Sequence, residues 1–453
     1  MRITRNPPRA KTALASLLVL LLAACGGGGG NDSNGSGDAS AVSELPAAAL
    51  PLGRASLAEA RETCSVVPGV WLTRIIRGTP DRAPLPLPCS VTAQSNPSGG
   101  GGDGPKPGGP FAVHVLEIDP KVFHGGLESV LGRDQIIGKE TPSAMAARRN
   151  AVAAVNGGYF VVGEGDDQAN GDGQAGDPAG IFMLDGQLVS EAAAGRTAIV
   201  WSAPDAGSVH FPIVDTQLSA DFGGGQSLPL DGINRIPGVI RMCGGVGDQP
   251  TSAPVHDLSC HDDDELIAFQ PIWGGPTPAG DGVEAVIENG KVTMQCPRGG
   301  AIPANGWVLA ATGNSAADLA SLAAVGQGVT LKTAATDKGA PMAIAAGTAI
   351  TGGGPQLIRD GAAAVRIDEE GFRYLANPVQ ELYLLQYVYS GQPRTLAAKT
   401  ASGRLLFVVV DGRRNDWSVG LSFNEAARLL LALGGEDGLN LDGGSSSSMV
   451  VNG

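Results

Sequence analysis

The sequence predicts a strand-rich α+β domain with a large mixed β-sheet and a few helices. Aromatic residues make up only 4% of the 453 residues, while 68 glycines and 31 prolines mark frequent turns. A core built from aliphatic side chains on short elements fits this composition. Short apolar runs outnumber segments of helical periodicity, and their order is not a strict βαβ alternation.

The predicted strands are apolar runs bounded by turn residues, at 70–76, 111–118, 151–155, 181–184, 197–201, 284–287, 343–345 and 404–410. Three segments have helical periodicity, at 143–150, 315–324 and 422–433. The boundaries of the last helix have the clearest sequence signals. Ser422 and Glu425 form a capping-box pattern at its start, and Gly434 is typical of a helix C-terminus.

The first residues predict export and lipid attachment. A basic start precedes an apolar stretch at 12–24, which as a helix would rise roughly 20 Å and could not span a bilayer of about 30 Å. We therefore interpret residues 1–24 as a signal peptide. It ends in LAAC, which resembles a bacterial lipobox with Cys25 as the acylated residue. Ordinary cleavage that leaves Cys25 as an incidental thiol is the alternative.

The predicted organisation is a flexible tether at 25–57 followed by one domain at 58–453. Gly26 after the cysteine resembles the pattern that sorts lipoproteins to the outer membrane, so we expect a lipid-anchored protein of the bacterial cell envelope. The net charge of −14 disfavours nucleic acid as a partner, because nucleic-acid binding requires clustered Lys and Arg. It also disfavours adsorption to anionic lipids, which leaves the anchor as the membrane contact.

Five further cysteines would meet an oxidising compartment after export. Proximity along the chain suggests the pairs Cys64–Cys89 and Cys243–Cys260, with Cys296 unpaired, although a sequence alone does not determine connectivity. No local signature supplies a histidine partner for a nucleophilic thiol, so we expect none of the cysteines to be catalytic.

Clusters of glycine with Asn or Asp follow directly on apolar runs. They read AAVNGGYF at 153–160, LLFVVVDGR at 405–413 and LNLDGGSSSSMVV at 439–451. Each places a polar side chain where a buried strand ends, beside glycines that permit close approach of a ligand. Each cluster alone is also a common turn signal.

Two loops contain residue types that can bind metals, but we expect neither a metal nor a cofactor. His256, His261 and the acidic run 262–265 match no established ligand spacing, and a solvated loop explains them better. A second loop only loosely resembles a calcium-binding loop, with the acidic and amide residues Asp166, Asp167, Asn170 and Asp172. A structural calcium there stays open as the alternative.

These clusters, with further segments in order, resemble the phosphodiester glycosidase family. The additional segments are 231–235 (DGINR), 264–275 (DELIAFQPIWGG), 351–361 (TGGGPQLIRDG), 392–395 (QPRT) and 418–421 (SVGL). The ordered set runs through most of 60–453 and is more specific than any one motif. One departure is that the family's Asp-Gly-Gly-Gly-Ser element appears here as Asp442-Gly443-Gly444-Ser445.

The resemblance implies hydrolysis of the bond between a sugar's anomeric carbon and a phosphodiester oxygen. A carboxylate would stabilise the positive charge that develops on the sugar, and cationic or N–H groups would stabilise the phosphate that leaves. The implied catalytic residues are Asp442 and Asp411, which we expect to emerge from adjacent buried strands. The implied substrate-binding residues are Asn156, Arg394, Thr395, Arg413, Gly443, Gly444, Ser445 and Ser446.

Within this set, Arg394 and Arg413 would bind the phosphate. Asn156 would form a hydrogen bond to a sugar hydroxyl, and the backbone N–H groups of residues 443–446 would bind an anion. Structural pairing of Arg394 with Asp411 is an alternative. The competing function is a non-catalytic surface lipoprotein that binds a glycan or phosphoglycan in the same cleft.

Overall fold

A computed structural model describes residues 19–23, 42–81, 84, 87, 108–163, 165, 169–170, 173–193, 195–243, 257–372 and 385–452. The predicted acylation site Cys25, the tether up to residue 41, and the acidic residues of the calcium-like loop lie outside these residues, as do Cys89 and His256. The membrane anchor and the calcium alternative therefore stay predictions.

The strands are numbered in chain order. In the first half of the chain they are β1 Val19–Ala23, β2 Glu59–Val67, β3 Val70–Arg77, β4 Phe111–Ile118, β5 Gly126–Val130, β6 Ala151–Asn156, β7 Ala169–Asn170, β8 Gly173–Gln174, β9 Phe182–Leu184, β10 Gln187–Ser190, β11 Arg196–Ser202, β12 Asp205–His210, β13 Ile213–Gly223, β14 Gln226–Pro229 and β15 Gly232–Ile233. In the second half they are β16 Val239–Cys243, β17 Asp257–His261, β18 Leu266–Phe269, β19 Val283–Glu288, β20 Lys291–Pro297, β21 Gly306–Ala311, β22 Thr330–Asp337, β23 Ala340–Pro341, β24 Thr348–Gly352, β25 Gln356–Arg359, β26 Ala362–Ala363, β27 Arg394–Thr400, β28 Leu405–Val410, β29 Gly435–Asn440 and β30 Met449–Val451.

The three predicted helices are present as α1 Pro142–Arg149, α2 Gly313–Leu322 and α3 Phe423–Ala432. The capping box at the start of α3 is also confirmed, because the Ser422 side chain accepts from the Glu425 N–H and Glu425 accepts from the Ser422 N–H. Residues 385–389 form a further helical turn. Within the described residues, no helix is long and apolar enough to cross a membrane.

The strands form several large antiparallel sheets, and the predicted strand-rich α+β class is confirmed. One sheet has eight strands in the order β2-β3-β4-β28-β27-β29-β25-β26, and a second has nine strands built on β10-β9-β24-β11-β13-β22-β23. Smaller sheets have the orders β15-β18-β21-β19-β20 and β30-β6-β1-β5. Among the described pairs, only β15 and β18 run parallel.

The eight-stranded sheet is covered on both faces, which explains the uninterrupted apolar run of β28. On one face Val408 and Leu396 pack with residues of α3 such as Phe423. On the other face Phe407 and Leu439 pack with residues of the neighbouring sheets, including Trp201 from β11. A strand buried on both faces carries apolar residues at consecutive positions rather than in alternation.

Two predictions about local structure are wrong. Residues 343–345 are not a strand, and the chain there forms an irregular connection before β24. Cys243 lies opposite Asp257 and Cys260 lies opposite Ile240 in the β16–β17 pair, three positions apart. This offset separates their Cα atoms by about 10 Å along the strands, beyond the roughly 7 Å that a disulfide can bridge.

The other cysteines agree with the sequence-based interpretation as far as they are described. Cys296 is a free thiol, as predicted. Cys64 is disulfide-bonded. Cys89 lies outside the described residues, so the pairing of Cys64 with Cys89 stays a prediction.

Candidate active site

Three glycine-containing loops meet at one end of the eight-stranded sheet: the segments 156–159, 352–354 and 440–444. A Cβ on Gly158 would lie 2.2 Å from the Gly352 carbonyl oxygen, and one on Gly353 would lie 2.9 Å from the Asn440 carbonyl oxygen. A Cβ on Gly443 would lie 3.2 Å from the Tyr387 hydroxyl. Gly158 and Gly353 are therefore needed for the close approach of the three backbones.

Asn156 ends β6 and holds the Asp442 loop in place. Its Nδ2 donates to the Asp442 carbonyl oxygen at 2.7 Å, and its Oδ1 accepts from the Ser448 N–H at 3.0 Å and from the Thr395 hydroxyl. Both Asn156 and Thr395 are fully buried. Both residues are predicted from the sequence to bind substrate, Asn156 through a sugar hydroxyl, but their polar groups bind the protein itself.

Asp442 carries a partly exposed carboxylate at this junction of loops. Its Oδ1 accepts the Gly443 N–H at 2.7 Å, and the Ser446 side chain also hydrogen-bonds to the carboxylate. Burial raises the pKa of Asp442 to about 6, although the bonds from Ser446 and Gly443 act in the opposite direction. A carboxylate poised near neutral pH is typical of a catalytic group.

Two tyrosines flank Asp442. The Tyr159 hydroxyl donates to the Gly354 carbonyl oxygen at 2.8 Å, lies 3.2 Å from the Tyr387 hydroxyl and accepts from Asn440 Nδ2 at 2.9 Å. Burial, with the charge of Asp442 contributing, raises the pKa of both tyrosines. They are therefore neutral phenols beside the carboxylate. Neither tyrosine is among the site residues predicted from the sequence, although Tyr159 lies within the AAVNGGYF cluster at 153–160.

Arg394 lies behind the site rather than in it. It is fully buried, its Nε donates to the Leu421 carbonyl oxygen at 2.8 Å, and its guanidinium carbon lies 4.7 Å and 4.1 Å from the ring centroids of Tyr387 and Phe423. Burial lowers the pKa of this guanidinium. The predicted direct phosphate contact is therefore wrong, because a ligand cannot reach this side chain.

The Arg394–Asp411 pairing considered as an alternative is also absent. Within the described residues Arg394 has no ion pair, and its Nη1 is a buried donor without a partner. Its Nη2 donates to the main-chain carbonyl of Tyr387, so Arg394 holds the turn that carries this tyrosine.

Arg413 is the exposed cation of the site. Its backbone has φ 60°, and its Nε donates to Gln392 Oε1 at 2.6 Å. A Cβ on Gly444 would lie 2.9 Å from Arg413 Nη2, so the guanidinium rests against the loop that follows Asp442. The role of Arg413 in phosphate binding stays a prediction.

The serine-rich loop after Asp442 does not form the predicted anion nest. The N–H groups of Gly443, Gly444 and Ser446 already donate to Asp442 Oδ1, the Pro393 carbonyl and the Gly443 carbonyl. Ser445 is exposed, whereas Ser446 is buried against Asp442. The loop therefore shapes the surroundings of the carboxylate more than it offers donors to a ligand.

Asp411 has different partners from Asp442. The sequence predicts that the strands before Asp411 and Asp442 are adjacent, and this prediction is wrong. Strand β27 lies between β28 and β29. The Asp411 carboxylate accepts from Trp417 Nε1 at 2.6 Å and lies 3.4 Å from His114 Nε2. Burial alone would raise the pKa of Asp411, but hydrogen bonds from His114 and Trp417 outweigh it and lower the pKa. Asp411 and Asp442 share no hydrogen-bond partner among the described residues.

The acidic run 262–265 takes part in a network of ion pairs and hydrogen bonds. Glu265 is fully buried and pairs with Arg235, while Asp264 caps the start of α2 by accepting from the Ser315 N–H. The part of the chain that is described contains no group of three or more His, Cys, Asp or Glu side chains arranged to hold a metal.

Comparison with known proteins confirms the resemblance for the C-terminal part of the chain. Residues 281–453, which contain Asp442, Arg394, Arg413 and both Gly353 and Gly443, match the family described as phosphodiester glycosidase. A comparison with curated protein sequences finds no match.

Two solved structures share the fold. A candidate exported protein of Burkholderia pseudomallei has 26% identity, a TM-score of 0.76, and an alignment covering 91% of this chain and 95% of its own. A hypothetical protein from Synechocystis has 21% identity and a TM-score of 0.58, with coverage of 87% and 60%.

The zebrafish N-acetylglucosamine-1-phosphodiester alpha-N-acetylglucosaminidase catalytic domain is a more remote match. It has 13% identity, a TM-score of 0.35 and coverage of 87% of this chain and 78% of its own. This likeness is too weak to support an argument.

Proposed function

We propose that this protein hydrolyses the glycosidic bond of a sugar-1-phosphodiester and releases the free sugar and a phosphomonoester. The observation that carries the proposal is Asp442, a partly exposed carboxylate with a pKa of about 6 at the meeting point of three glycine loops. The family match of residues 281–453 supports this class of substrate.

Asp442 acts in its ionised form on the anomeric carbon, as nucleophile or as base toward water. The bond between the anomeric carbon and the phosphodiester oxygen breaks, and its electron pair leaves with the phosphate. The oxygen of water ends on the sugar. A phosphate is a good leaving group and needs charge stabilisation more than a proton, and the exposed Arg413 guanidinium beside Gly444 supplies that charge.

We further propose that the enzyme works at the bacterial cell envelope, attached through the lipid on Cys25. The basic and apolar start of the chain and the Gly/Ser-rich residues after Cys25 support this location. The similarity to a candidate exported protein supports export but not the anchor itself.

The test is hydrolysis of a panel of sugar-1-phosphodiesters in ¹⁸O-labelled water, with products identified by mass spectrometry. Glycosidic cleavage places the label in the released sugar. Label in the phosphomonoester would show cleavage at phosphorus and would refute the proposed reaction, even though the same products form.

A glycan-binding protein without activity is the second candidate, because Asp442 and the neighbouring phenols of Tyr159 and Tyr387 also suit hydrogen bonds to sugar hydroxyls without reaction. The two functions separate in the Asp442→Asn variant. An enzyme loses turnover there and keeps ligand affinity, whereas a binder shows saturable affinity with no turnover in the wild type as well.

A further inference from the structure

A second pocket lies away from the Asp442 site, between the β9–β10 hairpin and the start of β21. Its volume is about 390 Å³. The lining residues come from β9, β10, β21, β22 and the 3-10 turn Pro271–Trp273: Leu184, Gln187, Val189, Gln270, Pro271, Ile272, Gly306, Trp307 and Leu331. None of them belongs to the site around Asp442.

The lining has no charged side chain, and it combines an aromatic ring with amide groups. Trp307 is partly exposed in the pocket, and its indole N–H has no hydrogen-bond partner within the described residues. Gln187 is exposed. An apolar pocket with a few polar groups is the usual form of a small-molecule site, and the absence of charge in the lining favours a neutral ligand.

Gln270 is held so that its amide nitrogen remains available. The Gln270 N–H donates to Asn234 Oδ1 at 2.7 Å, which determines the orientation of the Asn234 amide. Asn234 Nδ2 then donates to Gln270 Oε1 at 3.1 Å and to the Val189 carbonyl oxygen at 2.9 Å. Within the described part of the chain, Gln270 Nε2 has no partner.

Asn234 makes this arrangement rigid. It is fully buried and has φ 55°, a backbone conformation that asparagine tolerates better than most residues. Asn234 and Gln270 belong to the DGINR and DELIAFQPIWGG segments, whose chemistry the Asp442 site does not use. The two motifs thus meet at the wall of this pocket.

We propose that this pocket is a second, non-catalytic binding site for a neutral saccharide. The apolar face of a pyranose ring packs on the Trp307 indole, and ring hydroxyls accept from Gln270 Nε2 and the indole N–H. The volume exceeds that of one ring and admits a disaccharide. Binding at this site is independent of the hydrolysis proposed above.

The test uses maltose, cellobiose and N,N′-diacetylchitobiose as probes, with binding measured by saturation-transfer NMR and titration calorimetry. We expect saturable binding of at least one probe to the wild type. Gln270→Glu keeps the bond from Asn234 but removes the donors, and it should weaken binding at least tenfold. Trp307→Ala should abolish binding, while Trp307→Phe should retain part of it.

Ser445→Trp is the matched control, because Ser445 is exposed on the loop that follows Asp442 and a large side chain there obstructs that site only. It should leave the affinity for the probe unchanged. Loss of binding in that variant would assign the sugar to the Asp442 site and overturn the proposal. The proposal also fails if none of the three probes binds, or if binding persists in both Gln270→Glu and Trp307→Ala. Circular dichroism and thermal melting of each variant establish that it is folded.

Discussion

Asn156 at the end of β6 donates its side-chain amide to the main-chain carbonyl of Asp442, 286 positions later in the chain, at a distance of 2.7 Å. The same amide accepts from Ser448 and Thr395. One buried side chain thus joins two sheets to the loop that carries the candidate catalytic carboxylate. Its role is to position Asp442 rather than to contact substrate.

Asn156→Asp should therefore lower both stability and activity. The carboxylate cannot donate to the Asp442 carbonyl and places an uncompensated charge in a buried position. We expect the free energy of unfolding to fall by roughly 1–3 kcal/mol, the usual cost of a lost buried hydrogen bond. Urea unfolding measures it, and Asn150→Asp at the exposed end of α1 is the matched control. Equal effects at both positions would contradict the positioning role.

Asp442→Asn should reduce turnover at least ~10²-fold without unfolding the domain. The pKa of Asp442 is about 6 in the folded protein, above its ordinary value of 3.8 in an unfolded chain. The protonated carboxyl therefore favours the folded state at low pH, and this stabilisation is lost as the pH rises through 6. The variant should consequently be at least as stable as the wild type at pH 7.5. Asp437→Asn, on β29 and 3.6 Å from Arg359, is the matched control for both measurements.

The pH dependence of kcat/KM should report the ionisation of Asp442. Because a nucleophile or base must be ionised, the rate should rise about tenfold per pH unit below its pKa of about 6 and level off above it. A profile that falls through pH 6 as the pH rises would mean that Asp442 acts as a general acid.

Arg413 variants should separate charge from geometry in phosphate binding. We expect Arg413→Ala to raise KM roughly 10- to 100-fold, in line with the loss of a charge-assisted hydrogen bond, and Arg413→Lys to raise it less because only the bidentate fork is lost. Arg414→Ala is the neighbouring control, since Arg414 pairs with Asp416. A KM unaffected by Arg413→Ala would exclude this residue from phosphate binding.

Cys25→Ser should release the protein from the membrane without loss of hydrolytic activity. The predicted tether at 25–57 separates the anchor from the domain, so the free domain needs no lipid to fold. Cell fractionation with an activity assay on the soluble fraction measures both effects. Retention in the membrane fraction would contradict the lipoprotein interpretation, and an inactive soluble domain would contradict the tether.

Elements whose signals are local are predictable from the sequence. The predicted strand 111–118 has the same bounds as β4, and the capping residues Ser422 and Glu425 place the start of α3 correctly. Such signals depend on neighbours within a few residues. The prediction at 343–345 failed because two alanines and an isoleucine offer little side-chain surface to pack in a sheet.

Which of the candidate residues meet depends on contacts between segments far apart in the chain. The motifs located Asp442, Asn156 and Arg413 correctly at one end of the sheet, but β27 separates the strands of Asp411 and Asp442. Tyr387, 55 positions before Asp442, comes to the carboxylate through the packing of the 385–389 turn. Strand order and burial arise from contacts between segments far apart in the chain, and burial is what raises the pKa of Asp442. Neither the strand order nor the burial of a residue can be derived from a local pattern of residues.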